Sequence, residues 1–64
     1  SPAVTEPEIE VETGALTEAM ARIYIKQGKY EKAIEIIRRI SLKYPKKNRY
    51  FADQIRFLEK LIIN

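Results

Sequence analysis

Apolar residues recur at helical spacing in three stretches of this 64-residue chain. An amphipathic helix repeats its apolar residues at i, i+3, i+4 and i+7, so that they form one stripe facing a neighbour. The pattern predicts helices over residues 15–26, 30–43 and 49–62. We therefore expect an all-α domain over residues 14–64, preceded by a disordered acidic arm over residues 1–13.

Four residues mark where these helices begin and end. Thr13 is suited to cap the first helix and Asn48 the third, because a side-chain oxygen can accept a hydrogen bond from the unpaired amides of a first turn. Gly28 permits the left-handed backbone that ends many helices. Pro45 lacks an amide hydrogen and disfavours helical geometry in the residue before it, so the second helix should stop there.

The first two helices each carry one apolar stripe, whereas the third carries two. The first stripe contains Leu16, Met20, Ile23, Tyr24 and Gln27. The second contains Tyr30, Ala33, Ile34, Ile37, Ile40, Ser41 and Tyr44. The stripes of the third helix are Phe51, Ile55, Leu58 and Ile62, and Tyr50, Phe57 and Leu61. Since the other two helices cover one of these, Tyr50, Phe57 and Leu61 are the candidate partner surface.

Charge divides the chain into an acidic arm and a basic body. Residues 1–18 carry five glutamates and no basic residue, a net charge of −5, and residues 19–64 carry all twelve Lys and Arg, a net charge of +8. The arm is either a solvated linker or a segment that docks on the basic body. Residues 8–13 alternate glutamate with Ile, Val and Thr. That is the period of a strand, which would need another chain or a groove as its partner.

The chain starts with Ser-Pro and not with Met, so we expect it to be a piece of a longer protein. No apolar run approaches the roughly 18 residues of a membrane span, and no membrane partner is expected. The sequence does not fix a compartment, and the cytoplasm is only the default expectation.

The composition argues against an enzyme. The chain has no cysteine and no histidine, which removes the thiolate, the usual general base and the commonest metal ligand. Glu31, Glu35, Asp53 and Glu59 lie among Lys and Arg at helix-surface spacing, where we expect surface ion pairs. We therefore expect no catalytic residue, no metal site and no cofactor.

Tyrosines on a basic body suit stacking on single-stranded nucleic acid, but three of the four fall at packing positions. Only Tyr50 is left as a free aromatic residue, so a nucleic-acid partner is not expected. The basic run over residues 46–49 is expected to be solvated surface, with a patch for an anion or acidic peptide as the alternative.

Eight residues of the first two helices have a spacing typical of two closely packed helices. They are Met20, Ala21, Tyr24, Gly28, Tyr30, Ala33, Ile37 and Pro45. Over residues 17–45 this pattern resembles the tetratricopeptide repeat, a helix-turn-helix unit of about 34 residues. Ile37 replaces the second aromatic residue of the family pattern. Thr17 stands where the family often has tryptophan, so the outer packing of the hairpin should be less filled.

The resemblance implies a protein-interaction module whose third helix is similar to the capping helix that ends larger bacterial proteins of this family. The concave face of such modules, lined by first helices, holds an extended peptide. Its outward positions here are Glu18, Arg22, Ile25 and Lys26. Some members clamp a terminal carboxylate with asparagine and lysine on the first helix. This first helix has no asparagine, so the clamp is not carried over.

We therefore expect a non-catalytic module that buries apolar helix faces against a partner protein or peptide, or against another copy of itself. Repeat stacks normally need about three units for stability. For this reason we expect the isolated chain to form a homo-oligomer through its third helix. The alternative is a structural C-terminal cap that stabilises a larger parent protein without an external ligand.

Overall fold

The computed structural model describes residues 16–63. Its helices are α1 (Glu18–Lys26), α2 (Tyr30–Lys43) and α3 (Asn48–Ile63), with a one-turn 3₁₀ helix, Pro45–Lys47, between α2 and α3. No residue of the described range belongs to a strand, so the predicted all-α class with three helices is confirmed. The acidic arm and the alternating residues 8–13 lie outside the described residues.

Helix α2 is the common neighbour of the other two. It packs against both α1 and α3, whereas no Cα atom of α1 lies within 8 Å of a Cα atom of α3. Lys47 Nζ is 3.9 Å from Glu18 Oε1, so α1 and α3 have their N-terminal ends side by side. The fold is a helical hairpin, α1–α2, with α3 laid on the second helix.

Eight apolar residues form the buried core, and α2 supplies five of them. They are Ala21, Ala33, Ile34, Ile36, Ile37, Ile40, Phe51 and Leu58. Because α2 has two neighbours, its buried stripe is wider than the sequence predicts and includes Ile36. Each buried Ile, Leu or Phe side chain stabilises the fold by about 1.5–3 kcal/mol.

Helix α1 begins three residues later than the sequence predicts, and Thr13 is not its N-cap. The N-cap is Thr17, whose backbone is extended (φ −137°, ψ 163°) and whose hydroxyl accepts a hydrogen bond from the Met20 amide at 3.3 Å. The same amide donates to the Thr17 carbonyl at 3.1 Å, so the hydroxyl is a second acceptor for it at the start of the helix. Leu16, directly before the cap, packs against the core, as the first residue of a hydrophobic staple does.

The packed face of α1 also differs from the predicted stripe. Its members are Met20, Ala21, Tyr24 and Ile25. Ile23 and Gln27, which the sequence places in the stripe, are exposed, and Gln27 is the C-cap of the helix. The small Ala21 is the buried residue of α1, so the face turned to α2 is centred on it.

Gly28 ends α1 in a Schellman motif. Its amide donates to the Ile25 carbonyl at 2.9 Å, and the Lys29 amide donates to the Tyr24 carbonyl at 2.9 Å. Gly28 has a φ of 78°, the left-handed conformation that this motif requires and that costs glycine least. The turn between α1 and α2 therefore depends on glycine for its backbone conformation.

The connection from α2 to α3 corrects two predictions. Asn48 has helical geometry (φ −55°, ψ −43°), so it is the first residue of α3 and not its N-cap, because the 3₁₀ turn leads directly into the helix. Tyr44 is 54% exposed and lies outside the core. Its backbone leaves helical geometry (φ −129°, ψ 71°) before Pro45, which turns the side chain away from the apolar stripe of α2.

Replacement of Gly28 by alanine should destabilise the protein by about 1 kcal/mol, because only glycine adopts its φ without strain. A Cβ atom at this position would meet nothing within 4 Å, so crowding adds no cost. Gly28→Asn should lose less stability than Gly28→Ala, since asparagine tolerates the left-handed region. Urea unfolding followed by circular dichroism measures both variants, and equal stability of wild type and Gly28→Ala would contradict the assignment.

Replacement of Thr17 by alanine should also cost about 1 kcal/mol, because it leaves the Met20 amide without its side-chain acceptor. Thr17→Ser keeps the hydroxyl and should retain nearly all of the stability. The same unfolding measurement applies. If Thr17→Ala and Thr17→Ser unfold at the same urea concentration, the side-chain cap does not contribute.

Candidate functional site

An open cleft of about 380 Å³ lies between α1 and α3. It exists because both helices pack on α2 while staying apart from each other. Its lining residues are Ile25, Tyr50, Asp53, Gln54, Phe57 and Leu58. Four of these six side chains are aliphatic or aromatic, so the cleft is an apolar surface open to solvent.

The two stripes of α3 explain why its cleft side stays open. Phe51 and Leu58 are turned toward α2 and buried. Tyr50 and Phe57 each precede one of them by one residue, which on a helix rotates them by about 100° away from α2. Phe57 is 61% exposed and Tyr50 is 46% exposed. Leu58 therefore forms the floor of the cleft and the two rings form its α3 wall.

The remaining residues of the first α3 stripe are less covered than the sequence predicts. Ile55 packs against the core while only partly buried, and Ile62 is exposed. A cavity of about 510 Å³ separates the last turn of α3 from the residues 28–32 that begin α2. This gap is the reason that Ile62 lies outside the core.

The structure brings together residues from the two surfaces that the sequence proposed separately. Ile25, a predicted concave position, lines the same cleft as Tyr50 and Phe57, two predicted partner-surface positions. Leu61, the third of those, lines the other cavity, next to Ile62. One predicted concave position and two predicted partner-surface positions therefore line the same cleft.

Two other predicted concave positions carry positive charge on α1, close to Ile25 in sequence. Arg22 and Lys26 are exposed on α1, four residues apart and so on one face of the helix, next to Ile25. Asp53 lies in the cleft, but Arg56 Nη1 is 3.8 Å from its carboxylate. The cleft thus has an apolar centre and a rim that is basic on the α1 side.

Glu18 occupies the N-terminal end of the same face and is already engaged. Its Oε1 lies 3.9 Å from Lys47 Nζ. Hydrogen bonding to the Glu18 carboxylate, followed by repulsion between that carboxylate and a phenolate, raises the pKa of Tyr50 above 10.0. Arg22 acts in the opposite direction on the same phenol. Tyr50 therefore lies between an anionic and a cationic residue of α1.

Lys47 also fixes the ring of Tyr50. Its Nζ lies 4.8 Å from the centroid of Tyr50 and 5.2 Å from that of Phe51. The two rings meet edge to face, with centroids 5.1 Å apart and an interplanar angle of 64°. Such contacts stabilise by about 0.5–1.5 kcal/mol each. Sequence reasoning assigned Lys47 only to a basic run, because its contact with Glu18 and both rings depends on the 3₁₀ turn.

The other ion pairs lie on the surface and carry little energy. Arg39 pairs with Glu35 at 3.3 Å, and Arg38 pairs with Glu59 at 3.4 Å. The pair between Arg38 and Glu59 connects α2 to α3. All four side chains are at least half exposed, so each pair contributes about 0–1 kcal/mol.

Within residues 16–63 no three Asp or Glu side chains are placed to hold a metal ion. None of the helices described is long and apolar enough to cross a membrane. Glu18 and Tyr50 lie together at one end of the cleft.

The eight residues of the helix-packing pattern lie along the α1–α2 contact and its two ends. Ala21, Ala33 and Ile37 are buried, and Met20, Tyr24 and Tyr30 pack around the core. Gly28 forms the turn, and Pro45 begins the 3₁₀ helix.

A family model described as tetratricopeptide repeat matches residues 12–52. The chain belongs to the tetratricopeptide repeat family. Comparison with curated proteins and with solved structures gave no match.

The tetratricopeptide repeat match covers only part of the cleft. Helix α1 and the start of α3 lie side by side at their N-terminal ends, where Glu18 meets Lys47. The family match ends at residue 52, so most of α3 lies beyond it. The cleft wall formed by Phe57 is consequently a feature of this chain that the repeat pattern does not specify.

Replacement of Glu18 by glutamine should lower the pKa of Tyr50 toward 10.0, because it removes the nearby anion. The difference in tyrosinate absorbance between each protein and its Tyr50→Phe counterpart isolates this phenol from the other tyrosines. Glu31→Gln, an exposed change on α2, is the control and should leave the pKa of Tyr50 as in wild type. Equal pKa values for Tyr50 in wild type and Glu18→Gln would show that the carboxylate does not act on it.

The same contact predicts a direction for stability at high pH. The folded state raises the pKa of Tyr50 above its value in the unfolded chain, so the fold favours the neutral phenol. The contribution of Tyr50 to the free energy of unfolding is fully present below pH 10.0, the pKa of the unfolded chain. It is lost as the pH rises through the higher pKa that Tyr50 has in the folded state. Wild type should therefore lose more stability than Glu18→Gln in that alkaline range.

Proposed function

We propose that this tetratricopeptide repeat chain is a non-catalytic interaction module that binds an apolar segment of a partner protein in the α1–α3 cleft. The observation that supports this most directly is the exposure of Phe57 and Tyr50 beside Ile25 in one open cleft. Tetratricopeptide repeats are typically protein-interaction modules without catalytic activity. The proposal assigns that role to a defined set of side chains.

Binding would be driven by removal of apolar surface from water, worth about 25 cal/mol per Å² buried before association costs. Phe57 has the largest exposed fraction among the apolar side chains of the cleft, so it should be the main contributor. Tyr50, fixed by Lys47 and Glu18, would be covered at little cost in side-chain entropy. Arg22 and Lys26 would set the orientation of the partner and its association rate.

A structural cap is the second candidate, and a different surface favours it. Leu61, Ile62 and Ile63 are all exposed at the C-terminal end of α3, and the cavity next to residues 28–32 adjoins them. A larger parent protein could cover this end without using the α1–α3 cleft. A cap should gain stability only when the adjoining parent sequence is present, whereas an interaction module should bind a partner in trans.

Self-association is a further way to cover α3. A dimer through Phe57 and Leu61 would show a molar mass and a melting temperature that rise with concentration in light scattering and thermal melts. Phe57→Ala and Leu61→Ser should then give a monomer that melts earlier. A mass and melting temperature that both variants share with wild type would exclude this interface.

The interaction proposal is tested with peptides selected from a random library on the wild-type chain. Phe57→Ser should weaken the binding of a selected peptide at least tenfold, because it removes the largest exposed apolar side chain of the cleft. Leu42→Ser is the matched control, since Leu42 is 81% exposed on α2 and does not line the cleft. Isothermal titration calorimetry measures both affinities.

The two variants distinguish binding at a specific site from nonspecific binding to exposed apolar side chains. Equal weakening by Phe57→Ser and Leu42→Ser would contradict the cleft as the binding site. A selected peptide whose affinity neither change alters would contradict it as well. Circular dichroism of each variant ensures that the comparison is made between folded proteins.

A further inference from the structure

We propose that residues 6–13 of this same chain occupy the α1–α3 cleft, so that an external partner must displace them. This inference rests on the proposed function, because it names one occupant of the proposed binding site. It goes beyond that function because a segment of the same chain would compete with the external partner for the cleft. Three features support it: charge, apolar spacing and reach.

Charge complementarity selects an acidic occupant. Residues 6–13 contain Glu6, Glu8, Glu10 and Glu12 and no basic residue. The α1 rim of the cleft presents Arg22 and Lys26, which form no ion pair with any residue of 16–63 in the structure. The acids at the cleft are already paired: Asp53 with Arg56, and Glu18 with Lys47. An acidic segment would therefore meet uncompensated positive charge at the rim.

The apolar spacing of the segment matches a cleft with an apolar centre and a charged rim. Ile9 and Val11 alternate with glutamates over residues 8–12. In an extended segment such residues lie on opposite sides, about 6–7 Å apart along each side. Ile9 and Val11 could thus face Ile25 and Phe57 while the glutamates stay at the rim. A segment with scattered apolar residues would have to bury charge to make the same contacts.

The point of attachment makes this contact possible within one molecule. Only Gly14 and Ala15 separate Thr13 from Leu16, and Leu16 lies beside the α1 end where Glu18 meets Lys47. The walls from Tyr50 to Phe57 extend about 10 Å along α3, at 1.5 Å per residue. Six extended residues cover about 20 Å, which is ample. A tether this short gives an effective concentration in the millimolar range, which favours the same chain over a second copy.

The test uses the full 64-residue chain and compares amide and aromatic NMR shifts of the cleft residues. In Ile9→Ser/Val11→Ser the resonances of Ile25, Gln54 and Phe57 should move, since the segment no longer covers them. Val4→Ser is the matched control, an apolar residue outside the alternating stretch, and its spectrum should superimpose on that of wild type at these positions. Superposition of the double variant on wild type would overturn the proposal.

Concentration and salt identify the nature of the contact. The wild-type cleft shifts should be unchanged by dilution and should move toward those of the double variant at high salt. Shifts that change on dilution would assign the occupant to a second copy and overturn the intramolecular proposal. Shifts that move at the basic run 46–49 and not at the cleft would overturn it too.

A synthetic peptide of residues 6–13 supplies the third readout. It should restore wild-type cleft shifts in the double variant and bind wild type at least tenfold more weakly, because the tethered segment competes. Equal affinity for both proteins would overturn the proposal. Its failure is distinguishable from failure of the interaction module, since a library peptide that still depends on Phe57 would leave the proposed function intact.

Discussion

The burial of α2 on two sides is the interaction on which the rest of this structure depends. Five of the eight core residues belong to it, and each of the other helices reaches the core only through it. A chain of 64 residues buries a smaller fraction of its surface than a large domain, so its stability margin is thin. Loss of a buried isoleucine from α2 would loosen both helix contacts at once.

The candidate site follows from the same arrangement. Two helices that pack on one neighbour with their backbones apart leave a cleft between them, and most residues on their facing sides remain open to solvent. Phe51 and Leu58 are buried against α2, and this orientation of α3 leaves Tyr50 and Phe57 exposed. Folding and the proposed binding thus involve adjacent stripes of the same helix, and the exposed stripe is the one we propose for a partner.

Sequence reasoning reached the three-helix class and the repeat family, because both are encoded in local spacing. The glycine after α1 and the proline after α2 act through their own backbone restrictions, which no tertiary contact needs to supply. The N-cap of α1 was misplaced because Thr13 and Thr17 are chemically equivalent, and only packing decides which one starts the helix. Ile36 was missed because its burial depends on α2 having two neighbours.

The candidate site was less predictable than the fold. The sequence identified surplus apolar residues on α3 and outward positions on α1, but not that Ile25 and Phe57 share one cleft. Nor did it separate Leu61 from the other two partner-surface residues, since all three recur at the same helical spacing. The role of Lys47 over the Tyr50 ring depends on a 3₁₀ turn that the pattern did not predict.

The central claim is that partners bind in the α1–α3 cleft. The most direct measurement is a set of intermolecular nuclear Overhauser effects between an unlabelled library-selected peptide and the isotope-labelled chain. The account predicts contacts from the peptide to the Ile25 methyl groups and to the Phe57 and Tyr50 rings. Contacts confined to Leu61, Ile62 and Ile63, or to Leu42 on α2, would contradict it.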